Sequence, residues 1–219
     1  MRRTIRGLVE RPRAGHAASV IEVLERGDVQ FFFRPMVQPV EADAFVLGVQ
    51  SFFLILSPRR GHHRRLRIGK KRMPSSRRER FWGRIERVGG MHRVLGAALE
   101  AETYATKTRG ERYQPAARPI AQGTYELVLH HEDDKPDDAH VHFRWEAEPF
   151  GFEDAPEEIG LAESGDHLVL FKNDRGGRAV WTQKPRVADL DEEGAQIVIV
   201  GPSSSDSVRA AADADRIAV

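Results

Sequence analysis

The chain has 219 residues, of which 40% are apolar and 31% charged, with a formal net charge of +1 and no cysteine. That profile calls for a packed core, and it excludes a disordered chain, a disulfide framework, a thiolate metal site and a cysteine nucleophile. It also excludes a globally basic nucleic-acid binder, so any basic footprint must be local. There are 28 Arg against 6 Lys, a skew that coding bias in the host produces as readily as a need for guanidinium chemistry.

The N-terminus "MRRTIRGLVERPRAGH" is basic but lacks the roughly 7–15-residue apolar run of a secretory signal. Residues 14–26 place Ala17, Val20, Ile21 and Leu24 at helical spacing, with Gly27 as a C-terminal cap. Phe31, Phe32 and Phe33 form a short β-prone run ended at Pro35. The most apolar window, "AFVLGVQSFFLIL", is 13 residues long. A membrane span needs about 20, so the window predicts a buried strand, no membrane insertion and a cytoplasmic protein.

"SPRRGHH" has turn chemistry, and "RRLRIGKK" alternates, with Leu66 and Ile68 on one face and Arg65 and Arg67 on the other. Residues 76–88 predict a helix: Ser76 and Glu79 fit a capping box, and Phe81, Trp82, Ile85 and Val88 fall on one face. A second helix is predicted over roughly 91–101. Pro115 and Pro119 mark a linker or long loop over 103–122. "GTYELVLHH" and "AHVHFRWEAE" alternate as a second hairpin, "DAPEEIGLAE" suggests one or two helical turns, and "DHLVLFKN" and "AQIVIVG" read as strands. From Pro202 onward the chain is polar and Ala-rich, as a frayed end is.

These elements predict an α+β fold, mostly antiparallel hairpins packed with three or four helices. Its organisation reads as an N-terminal sub-domain over 1–102, a linker over 103–122, a C-terminal sub-domain over 123–201 and a flexible tail over 202–219. Residues 49–88 and 123–162 share a hairpin-then-helix order, the outline of two similar sub-domains.

Charge segregation is the sharpest feature. Residues 59–87 hold thirteen Arg and Lys against two Glu, whereas residues 126–166 hold fourteen acidic residues against Lys135 and Arg144. Such asymmetry points to an interaction surface. Arg64, Arg65, Arg67, Lys70, Lys71, Arg72, Arg77, Arg80 and Arg84 are the candidate anion-binding cations. Phe81 and Trp82, on the apolar side of the predicted helix, read as core and not as base-stacking groups. Arg34, beside Pro35, is a candidate cleft cation.

His131, His140 and His142 are candidate ligands for zinc or another divalent ion, because neutral imidazole at i, i+2 on a strand plus a cross-strand partner makes a workable geometry. Glu153, Asp154, Glu157 and Glu158 precede an apolar run, as acids at a helix N-terminus do, and form a weaker acid–base candidate. No GxSxG, GxxxxGKS/T, GxGxxG or HExxH motif occurs. No catalytic residue and no cofactor are implied. The leading expectation is a non-enzymatic binding protein with a basic face for nucleic acid or an acidic protein surface. The alternatives are a divalent-metal enzyme using the histidine hairpin, and a homo-oligomer pairing its acidic and basic faces.

Overall fold

The computed structural model describes residues 19–39, 48–96, 99–132, 135–150, 157–175, 178–182 and 186–202. Twelve strands run through it: β1 (Ser19–Pro35), β2 (Gln38–Pro39), β3 (Val49–Pro58), β4 (His63–Ile68), β5 (Arg80–Gly89), β6 (Glu102–Thr106), β7 (Gly110–Gln114), β8 (Arg118–Glu132), β9 (Lys135–Pro149), β10 (Ser164–Arg175), β11 (Arg178–Thr182) and β12 (Gln196–Pro202). The α-helix among the described residues is α1 (Met91–Leu95), and short 3-10 turns occupy Glu157–Ile159 and Val187–Asp191.

The large sheet runs in the order β11-β10-β12-β5-β4-β3-β1-β8-β9, and a further pairing of β9 with β10 closes it into an eight-stranded antiparallel barrel. Closure removes the edges that an open sheet leaves exposed. Strands from both sides of residues 103–122 contribute, and that stretch itself holds β7, nearly all of β6 and the start of β8. The β2, β7 and β6 strands form a separate small sheet.

Period-2 alternation fills the lumen of the barrel. Phe31, Phe52, Leu54, Ile85, Val141 and Ile199 are all within the main apolar cluster and essentially inaccessible. Each such side chain contributes roughly 1.5–3 kcal/mol by leaving water. Leu190, on the Val187–Asp191 turn, joins the same cluster. A second cluster lies outside the barrel wall, where Phe32, Phe53 and Ile55 are covered by α1 through Val94 and by the following segment through Leu99. A third, of Leu168, Leu170, Val198 and Val200, lies on the outer face of β10 and β12, with Trp181 packed against it.

The expected α+β fold with three or four helices is therefore replaced by a β-barrel, and the particular errors have local causes. Residues 76–88 form a turn and then β5, not a capped helix. Glu79 does accept from the Ser75 and Ser76 amides, at 2.7 and 3.3 Å, but it closes a turn. In β5, Phe81, Gly83 and Ile85 face inward, and the register slips so that Arg65 pairs with Arg87 but Leu66 with Ile85. The slip is a β-bulge at Glu86 that moves the next inward position from 87 to 88. An inward glycine plus a bulge leaves large apolar residues at 81, 85 and 88, which is the spacing of a helix face. The described part of residues 14–26 belongs to β1, where a register slip between Val23 and Glu25 breaks alternation in the same way; residues 14–18 lie outside the described residues. The helix predicted over 91–101 is α1 alone, stopped at Gly96, whose φ of 38° favours glycine. Residues 153–154 and the tail from 203 lie outside the described residues.

Candidate anion-binding face

The β4–β5 pair presents opposite chemistries on its two sides. Arg64, Leu66 and Ile68 point inward from β4, and Arg65 and Arg67 point outward. On β5, Arg80, Trp82, Arg84 and Glu86 take the outward positions. The bulge adds Arg87 to this outer side.

Inside, Arg64 is 1% exposed and fully committed. Its Nη1 donates to Glu25 Oε1 and its Nε to Asp191 Oδ1, both at 2.7 Å. Tyr125 donates its hydroxyl to the same Glu25 oxygen at 2.6 Å. Burial works against the Arg64 charge, but the two carboxylates outweigh it and its pKa is raised. Burial, followed by the Glu25 charge, pushes the Tyr125 hydroxyl far up, so it stays a donor.

Outside, part of the arginine is also spent. Arg65, nearly buried under α1, donates Nη1 to the Val94 carbonyl at 3.1 Å and pairs with Glu86 at 3.1 Å; burial lowers its pKa. Arg67 reaches Glu86 at 3.4 Å. Arg87 and Arg93 share Glu193, at 3.6 and 2.8 Å. Arg72 bonds both oxygens of Glu79, and that contact holds the Glu79 carboxyl at about 2.

Subtracting these pairs leaves a concentrated remainder. Lys70, Lys71, Arg77, Arg78, Arg80 and Arg84 are exposed and have no carboxylate partner among the described residues. Lys70, Lys71, Arg77 and Arg78 lie on the turn between β4 and β5, and Arg80 and Arg84 on the outer face of β5. Gly69 donates its amide to the Trp82 carbonyl at 2.6 Å, so Lys70 and Lys71 leave β4 beside Trp82. Trp82 is 55% exposed between Arg80 and Arg84, with its ring 4.9 Å from that of Trp181 in an edge-on arrangement. Arg84 also lines a cleft of about 430 Å³ whose other walls include Arg34, Arg65, Arg67 and Arg87, the carboxylates Glu86 and Glu193 that pair with three of these arginines, and Phe53 and Leu99. Arg34 is held there by donation to the Glu100 carbonyl at 2.7 Å and the Pro115 carbonyl at 3.3 Å.

Of the nine cations singled out from sequence, Lys70, Lys71, Arg77, Arg80 and Arg84 thus lie on β5 or the turn before it and have no carboxylate partner among the described residues. Arg65 and Arg67 lie on the same face but share Glu86, Arg72 is tied to Glu79, and Arg64 lies inside the barrel. Sequence reasoning missed Arg78 and Trp82. The signal for Trp82 was present in the period-2 order Arg80, Trp82, Arg84, hidden by the helical reading.

A second polar cluster occupies the outer face of β8, β9 and β10. His130 stands opposite His140, and the rings of His130, His140 and His142 lie 4.8–5.7 Å apart. Asp166 accepts from His142 through one oxygen and from Arg144 Nε, at 3.0 Å, through the other. Arg144 Nη2 lies 2.7 Å from His130 Nε2, which makes that nitrogen the acceptor and His130 neutral. Burial, then the His142, Arg144 and His140 charges, pull the His130 pKa down to about 4. Asp166 is held below its ordinary value because the His142 and Arg144 contacts outweigh its burial. His131 falls in the register slip between His130 and Glu132. Among the described residues, no group of three His, Cys, Asp or Glu is arranged to hold a metal ion. Glu158 accepts the Val49 amide at 2.6 Å, so it fastens the first residue of β3. No helix among the described residues is long and apolar enough to cross a membrane. Comparison with protein-family models, curated proteins and solved structures finds no match for this chain.

Proposed function

We propose that the chain is a non-enzymatic binding protein whose outer β4–β5 face takes an anionic polymer, nucleic acid above all. One observation carries this reading: six exposed cations without carboxylate partners among the described residues lie on the turn between β4 and β5 and on the outer face of β5, and the last of them, Arg84, lines a cleft with four further arginines. Cations left unpaired at close quarters repel one another, and a polyanion relieves that repulsion while releasing its own counterions. Its cysteine-free composition fits a cytoplasmic setting.

Oligonucleotide affinity measured across a salt series tests the proposal. With about four cations engaging phosphates, log K should fall against log salt with a slope of roughly −3. Replacing Lys70, Lys71, Arg80 and Arg84 together by Ala should remove most of that slope. Absence of binding at about 50 mM salt, or an unchanged slope in the variant, overturns the proposal.

A further inference from the structure

We infer that the polymer this face takes is single-stranded nucleic acid, and that Trp82 is the surface on which an unpaired base stacks. The inference rests on the proposed function and adds the class of its ligand.

Trp82, 55% exposed, forgoes the stabilisation that burial of an indole ring would give. Trp82 could have turned its ring onto the Leu168, Leu170, Val198 and Val200 cluster beside it, since it pairs across the strand with Val198. Trp181 packs against that cluster, and Trp82 meets Trp181 edge-on at 76°. This edge contact fixes the Trp82 ring without covering it. A ring held in place and left open loses little entropy when a flat partner lands on it.

The flanking residues supply the rest of the recognition. Arg80 and Arg84 sit two positions to either side of Trp82 on the same outward face. Residues two apart on a strand lie roughly 6.8 Å from each other, which is close to the span of one nucleotide in an extended single strand. Arg80 and Arg84 are therefore roughly 13.6 Å apart, the span of two nucleotides, which suits phosphates two steps apart on a strand whose intervening base lies against Trp82. Beyond Arg84 the outer face continues into the cleft with Arg67 and Arg87, whose carboxylate partners lie at the long distances of 3.4 and 3.6 Å. From Arg80 to Arg87 the strand spans roughly 24 Å, room for about four nucleotides, at the lower end of the site sizes seen for barrel-type single-strand binders. A paired duplex keeps its base faces stacked inside and has nothing to offer Trp82. An acidic protein surface would satisfy the arginines but leave the ring unused.

The test compares three probes on the full chain: an oligothymidylate of about 12 nucleotides, a blunt duplex of equal length, and a polyglutamate of similar charge. The single strand should bind most tightly and quench tryptophan fluorescence, with the quench lost in Trp82→Ala. Trp82→Ala should weaken single-strand binding by roughly 5- to 150-fold, Trp82→Phe should recover most of it, and neither should alter duplex binding by more than about 2-fold. Because Trp82 is exposed, an unchanged melting temperature will show that the variants are folded. If all three probes bind in a salt-dependent way but Trp82→Ala weakens none of them selectively, the stacking inference falls and the basic-face reading stands. If polyglutamate binds as tightly as the single strand, the ligand is an acidic protein and the inference falls. If no probe binds, both readings fall together.

Discussion

The inside and outside of β4 treat the same residue type in opposite ways. Arg64 points into the barrel and is held by Glu25, Asp191 and, through Glu25, by Tyr125. Arg67, three residues on, points outward, faces Arg84 directly across the ladder and has only a long contact with Glu86. Inside, an unpaired guanidinium would forfeit several kcal/mol of hydration, so folding obliges the sequence to supply its partners. Outside, water solvates the charge at no cost, so a cation there can be left for a ligand. The difference teaches that a basic stretch divides by strand face: one side stabilises the fold and the other is left free for binding.

The largest expected effect tests that division directly. Arg64→Ala strands the Glu25 carboxylate inside the barrel mouth and should cost about 3–5 kcal/mol of stability. Arg84→Ala, at an exposed position without a partner, should change stability by no more than about 0.5 kcal/mol. Urea unfolding midpoints of the two variants measure the contrast. Equal destabilisation would show that the two faces of the hairpin are not energetically distinct. Arg64→Ala should change oligonucleotide affinity only as far as it unfolds the chain.

How much of this was legible in the sequence follows from the same alternation. Leu66 and Ile68 against Arg65 and Arg67 read correctly as a strand, because four consecutive positions keep a strict period. β9 and β8 from residue 123 onward were legible for the same reason, and β10 and β12 as short apolar runs, whereas the first five residues of β8 were hidden in the expected linker. β5 was not: Gly83 leaves an inward position without a side chain, and the Glu86 bulge displaces the following one. With its period disguised, the strand gave up Trp82 to an imagined core. The site was half legible, since the charge run named five of its six free cations. What the sequence could not reveal was which cations were already neutralised. Glu25 and Asp191 lie 39 and 127 residues from Arg64, and only closure of the barrel brings them together.

The outer face is not uniformly free, and the β8–β9–β10 cluster sharpens the comparison through pH. Arg144 is outward-facing yet donates to Asp166 and to the neutral ring of His130. The His130 pKa is depressed to about 4, so between the ordinary histidine value and about 4 the unfolded chain binds more protons than the folded one. Stability is then fully present above the unfolded pKa and lost as pH falls through that window. After discounting for partial exposure, the loss should be on the order of 1–2 kcal/mol. His130→Gln, which retains an acceptor without titrating, should flatten the stability profile between about pH 6.5 and 4. An unchanged profile would mean that the Arg144 contact does not hold His130 neutral.

The smallest expected effect is the most informative about what the free cations are for. Arg67 and Arg84 stand directly opposite each other in the β4–β5 ladder, and like charges so placed destabilise a sheet. If the pair existed for the fold alone, one of the two would serve better as a carboxylate. Arg84→Glu turns the repulsion into a cross-strand attraction and should raise stability by about 0.2–1 kcal/mol, seen as a melting temperature roughly 1–4 °C higher. The same change places a negative charge beside Trp82 and should abolish single-strand binding at low salt. A variant that is more stable and no longer binds would identify the Arg67–Arg84 juxtaposition as a cost to the fold retained for a ligand. A variant that loses stability would show that the two guanidiniums are accommodated within the chain, and the argument for a vacant anion seat at Arg84 would lose its energetic basis.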